Sequence, residues 1–167
     1  MATGLTNCIL RYIKKEDVVL ALGIGIAQAE DLISENCRFM IGVDIFRDYL
    51  HLIKDKIFPI NFDVLKLDKI FVDKCADVVL ALDLIEHLEK PDGFKLIEIA
   101  EKLARRMVIF YTPCEFKDNK EHINIWGFKN EYQLHKSLWT QEEFTKLGYE
   151  IDDCYKPEGF IAIKKIK

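Results

Sequence analysis

Proline and glycine are scarce, at 4 and 8 of 167 residues, and neither gathers into a linker. No internal repeat or low-complexity tract is present either, so residues 1–167 read as a single domain. The longest apolar run, Val18–Ala27, is about ten residues, too short to cross a bilayer, and no membrane partner is expected. The N-terminal stretch has no basic region ahead of an apolar one, which argues against a secretory signal. No two cysteines have CxxC spacing, which argues against a zinc knot or a redox dithiol. Cys8, Cys37, Cys75, Cys114 and Cys154 instead read as scattered, reduced, mostly buried thiols of a cytoplasmic protein. Positive charge is not in excess. With 24 basic and 28 acidic residues the net charge is −4, so no general field holds a phosphate backbone and nucleic acid is a disfavoured partner.

What the chain does have is a hydrophobic share of 50% and a charged share of 31%, the balance of a globular domain with a core. Apolar runs alternate with helical periodicity. Helices are expected at Leu5–Lys15, Ala27–Glu35, Phe46–Lys56, Gly93–Leu103 and Gln141–Leu147. Phe94, Ile97, Ala100 and Ala104 mark one face of the fourth, and Thr140 with Glu143 forms a capping box on the last. Strands are expected at Val18–Leu22, Arg38–Val43, Ile57–Phe62, Asp77–Leu82 and Met107–Tyr111. Pro59 suits an edge strand or a strand start, because it cannot donate to a ladder. Tyr149–Tyr155 and Phe160–Lys165, joined by a turn, read as an antiparallel hairpin. Such alternation implies right-handed crossovers and a mainly parallel sheet between helical layers.

Chemistry concentrates at strand ends, where ligands of open α/β sheets bind. Leu22-Gly23-Ile24-Gly25-Ile26-Ala27 follows the first strand, and glycines there let backbone approach a ligand. Asp44 ends the second strand, where a carboxylate can accept both hydroxyls of a ribose. Asp63 follows the third strand, and Asp83 follows the fourth, leading into Leu84-Ile85-Glu86-His87-Leu88. Packing at the turn and solvation of an acid at a strand end are the plainer readings of these positions. Residues 112–138 lack periodicity, which suggests a binding segment that covers the site.

Together these motifs, from about Asp17 to Lys165, resemble the small-molecule branch of class I S-adenosylmethionine-dependent methyltransferases. The resemblance implies a three-layer Rossmann-like α/β fold, with a mainly parallel seven-stranded sheet and an antiparallel C-terminal hairpin. It implies S-adenosyl-L-methionine as cofactor, methyl transfer as activity and a small-molecule acceptor. Leu22, Gly23, Ile24 and Gly25 correspond to the motif lying along the methionine part. Asp44 and Ile45 correspond to the ribose site, Asp63 and Val64 to the adenine site, and Asp83 to the motif beside methyl transfer. The chain departs from the pattern at Ala21, where the family usually has an acid, and at Ala27, where a third glycine is frequent.

The stretch Asn130-Glu131-Tyr132-Gln133-Leu134-His135, running on to Trp139, is similar to one in a prokaryotic-type subgroup whose acceptors are unassigned. His135, His87 and Asp83, in that order, are the candidates for a general base. His135 could equally cap the last helix or pack under Trp139. Asp83, Glu86 and His87, with His122 or His135, also resemble the site of metal-dependent RNA 2′-O-methyltransferases. No metal is the favoured expectation, because Glu-His-Leu is common in metal-free relatives. Ala21 motivates a further alternative, a catalytically silent domain that binds cofactor or a partner.

Overall fold

The computed structural model describes residues 2–54, 56–116 and 129–167. Seven strands form one sheet: β1 (Val18–Leu22), β2 (Phe39–Asp44), β3 (Ile57–Asn61), β4 (Ala76–Leu82), β5 (Ala104–Pro113), β6 (Glu150–Asp152) and β7 (Gly159–Lys165). Their order is β3-β2-β1-β4-β5-β7-β6. The first five pair in parallel, whereas β7 runs antiparallel to both β5 and β6. This is the Rossmann-like methyltransferase architecture with its C-terminal hairpin. β3 lies at one edge, and Pro59 sits within it opposite Gly42, as the missing N–H requires.

Strand alternation sends side chains into two apolar layers. Leu20, Leu22, Val79, Phe110 and Ala162 pack on one face with α4 (Lys90–Leu103) and α5 (Gln141–Lys146). Val19, Ala21, Met40, Leu80 and Ile163 pack on the other with α1 (Ala2–Leu10) and α2 (Glu30–Ser34). The short α3 (Arg47–Leu50) adds Tyr49 beyond β2. Thr140 and Glu143 complete the capping box on α5. Trp139, 1% exposed, anchors the preceding segment between Phe94 and Phe144, with the Lys90 ammonium 3.7 Å from its ring centroid.

Three helices are shorter than their sequence pattern suggests. α2 starts only at Glu30, because Ala27 adopts a left-handed φ of 60° and keeps the turn open. α3 ends by Leu50, and α1 ends at Leu10 ahead of a tight turn. The thiols also require correction. Cys8 on α1 is disulfide-bonded to Cys154 in the β6–β7 connection, leaving Cys37, Cys75 and Cys114 free. Tyr12 strengthens this tie by donating to Asp152 at 2.6 Å, and Arg11 pairs with the same carboxylate. No helix among the described residues is long and apolar enough to cross a membrane.

Candidate active site

β1, β2, β4 and β5 end at the same edge of the sheet, and their loops build the site. After β1 the backbone alternates into the left-handed region at Gly23 (φ 62°), Gly25 (φ 54°) and Ala27 (φ 60°). A Cβ on Gly23 would lie 2.5 Å from Leu84 Cδ1 and would displace that side chain, and the left-handed φ itself favours glycine there. A Cβ on Gly25 would meet nothing within 4 Å; its glycine serves conformation.

Asp44 is 8% exposed at the end of β2. Its Oδ2 accepts from the Gly25 amide at 2.8 Å and its Oδ1 from the Phe46 amide at 2.7 Å. Burial pushes its carboxyl above the usual range, against the pull of these amides. A carboxylate offers about four lone-pair sites, so two amides leave capacity for further donors. Asp63 caps the next turn by accepting from the Leu65 amide at 3.0 Å, and it pairs with Lys66 at 2.9 Å. Burial acts to raise its carboxyl, but the hydrogen bonds from Lys66 and Leu65 outweigh burial and hold it below the ordinary value. Asp44, Ile45, Asp63, Val64, Leu84 and His87 line a cavity of about 260 Å³. Asn130, Tyr132, Gln133 and Lys136 close its other side, so part of the expected covering segment does form a wall. The remainder of that segment, with His122 and Trp126, falls in residues 117–128, outside the described residues.

A second cavity of about 210 Å³ adjoins the first, sharing Gly23, Asp83 and Gln133. Ile24, Gly25, Glu30, Tyr49, Tyr111 and Tyr155 contribute to its wall. Glu30 is 5% exposed, and burial raises its carboxyl to about 8, with the charge of Asp83 adding to the effect.

Asp83 stands at the junction, exposed, with a left-handed φ of 48° and its amide bonded to the Tyr111 carbonyl at 3.1 Å. Behind it Glu86 is 3% exposed, accepts from the Thr112 hydroxyl at 3.1 Å and has no partner for Oε1 among the described residues. Burial, then the charge of Asp83, holds Glu86 protonated well above the carboxylate range. His87 Nδ1 is likewise buried without a partner, and burial followed by the neighbouring His135 lowers its imidazole to about 4. The carbonyl of Glu86 accepts from the amides of Lys136 and Ser137, which brings His135 over His87. Ligand atoms of Glu86, His87 and His135 all lie within 4.8 Å of one another, so these three could hold a cation.

The structure therefore gathers Gly23, Ile24, Gly25, Asp44, Ile45, Asp63, Val64, Asp83 and His87 around two adjoining cavities. Leu22 and His135 line neither. The Leu22 side chain is buried in the core, because strand alternation turns it inward, and His135 sits behind His87. His135 does not pack on Trp139, whose neighbours are Phe94, Phe144 and Lys90. Ala21 lines neither cavity and is 1% exposed in the core. Sequence reasoning missed Glu30, which looked like one turn of an ordinary helix. It also passed over Tyr111, whose place at the end of β5 was the available signal.

Neither protein-family models nor curated protein sequences match the chain. Its likeness is to solved structures. A SAM dependent methyltransferase from Archaeoglobus fulgidus is 18% identical, with a TM-score of 0.71 over 99% of this chain and 94% of the other. The magnesium protoporphyrin IX methyltransferase of Synechocystis PCC 6803, solved with bound SAH, is 13% identical, with a TM-score of 0.68 over 98% of this chain and 82% of the other. The small RNA methyltransferase HEN1 is 19% identical, with a TM-score of 0.72; the match covers this whole chain (100%) but 25% of that protein. The shared feature is the fold, that of S-adenosylmethionine-dependent methyltransferases.

Proposed function

We propose that this chain, built on the class I methyltransferase fold, binds S-adenosylmethionine across the two joined cavities and transfers its methyl group to a small molecule. The observation that carries this reading is Asp44. Its buried carboxylate is fixed by the Gly25 and Phe46 amides and borders the larger cavity with capacity left for ribose hydroxyls. Ile45 and Val64 offer apolar surface for an adenine in that cavity, and Asp63 an acceptor for its amino group. The Gly23–Gly25 backbone would run along the methionine part.

The cofactor's sulfonium supplies a methyl carbon already activated by its leaving group. The protein's task is then to align an acceptor with that carbon and exclude water. Asp83, at the meeting of both cavities, is the residue proposed to orient the acceptor and take its proton. His87 stays neutral but weakly basic, and a base works best near the operating pH, so it ranks behind Asp83. The net charge of −4 favours a small acceptor over nucleic acid. Ala21 gives no reason to favour a silent domain, since its methyl group belongs to the core.

Calorimetry with S-adenosylhomocysteine tests the reading. The wild type should bind, and Asp44→Ala should weaken binding by about 1–3 kcal/mol by stranding buried hydroxyls. No binding to the wild type would rule the assignment out.

A second reading, metal-assisted transfer to a ribose 2′-hydroxyl, is favoured by one observation. Among the described residues Glu86 Oε1 and His87 Nδ1 are buried without partners, and His135 brings a third ligand atom within 4.8 Å. Such a donor set fits a divalent cation, whose role would be to polarise the acceptor oxygen. The neighbour described as a small RNA methyltransferase supports the same reading. Manganese titrated calorimetrically into wild type and His135→Ala separates the two readings. Binding that depends on His135 favours the second, and absence of binding leaves the metal-free one.

A further inference from the structure

The smaller cavity has an unusual charge balance. Two carboxyl groups, Glu30 and Asp83, border it from opposite elements, and no lysine, arginine or histidine is among its lining residues within the described part of the chain. Glu30 is 95% buried and senses Asp83 electrostatically. Its carboxyl is hydrogen-bonded by the Glu30 and Ala29 backbone amides, with no basic side chain paired to it among the described residues. Burying a carboxyl without a counter-charge is costly, and such groups avoid the cost by keeping a proton, as the rise of Glu30 to about 8 reflects. Three tyrosine rings, from Tyr49, Tyr111 and Tyr155, complete the wall, and ring faces also attract cations. A cation is the ligand that this lining suits.

The cavity adjoins the larger one, which Asp44 lines, and Gly23, Asp83 and Gln133 border both. A ligand spanning both would place its nucleoside in the larger cavity and the far end of its tail beside Glu30.

We propose that Glu30 releases its proton to solvent and, as a carboxylate, binds the ammonium group of the cofactor's amino-acid tail, supplying from α2 the acid that Ala21 does not supply from β1. This rests on the cofactor reading above. The Ala21 methyl is buried in the core and lines neither cavity, whereas Glu30 borders the space directly. The same site would discriminate against nucleosides that lack the amino-acid tail.

The test compares two ligands by calorimetry: S-adenosylhomocysteine, which carries the ammonium, and 5′-methylthioadenosine, which lacks the whole amino-acid group. Glu30→Gln is nearly isosteric, and thermal melting verifies its fold. It should weaken S-adenosylhomocysteine about 10- to 100-fold, the loss expected for one charge-assisted hydrogen bond. It should leave methylthioadenosine within about twofold. Asp44→Ala should weaken both. Wild-type protein with deaminated S-adenosylhomocysteine gives an independent measurement, and its loss should match that of the variant. Equal losses for both nucleosides in Glu30→Gln, or no loss for either, would overturn the role of Glu30. Failure of the wild type to bind either nucleoside would overturn the cofactor reading itself.

Discussion

The imidazole rings of His87 and His135 meet edge to face, with centroids 4.8 Å apart. Burial and this second imidazole keep His87 unprotonated down to about 4, against an ordinary 6.5. The unfolded chain therefore takes up a proton below 6.5 that the folded chain refuses. The stability owed to this group is present above 6.5 and falls as pH drops from 6.5 toward 4. Imidazole proton NMR should show no His87 titration between about pH 5 and 8, and His135→Ala should move its midpoint upward. A wild-type midpoint near that of free histidine would contradict this account of the pair.

Ala21 pairs with Gly42 and Leu80 in the centre of the sheet and faces an apolar layer. Ala21→Asp would bury an unpaired carboxyl there. Denaturant unfolding should show a loss of about 3 kcal/mol or more, with no gain in cofactor affinity. Tighter binding at unchanged stability would mean that the side chain reaches the ligand after all.

The Cys8–Cys154 bond ties α1, whose Leu5 lines the smaller cavity, to the segment carrying Tyr155. Thiol titration of unreduced, denatured protein should find only Cys37, Cys75 and Cys114 reactive. Cys8→Ser should lower stability by about 2–4 kcal/mol. Five reactive thiols without reductant would show that the bond does not form.

The strand core of this fold was legible because β1, β4 and β5, covered on both faces, are near-continuous apolar runs. The capping box at Thr140, the edge position of Pro59 and the acids at strand ends were legible for equally local reasons. Other features depended on contacts that spacing does not encode. Cys8 and Cys154 are 146 residues apart. Strand alternation decides that Leu22 and Ala21 face core layers, and which way a strand is turned is known only once helices cover it. The helical periodicity through Ala27–Ala29 was overridden by the left-handed residue that keeps the turn open. Glu30 gained its meaning from Asp83 and three tyrosines, brought to it by α2, α3, β4, β5 and the β6–β7 connection.

The central claim is that one nucleoside ligand occupies both joined cavities. Backbone amide NMR of isotopically labelled protein, titrated with S-adenosylhomocysteine, tests it most directly. The account predicts saturable shifts centred on Gly23, Gly25, Ile45, Val64 and Leu84, together with Glu30, and little change along the far ends of the strands. Spectra that stay unchanged at saturating ligand, or shifts confined to residues away from both cavities, would contradict it.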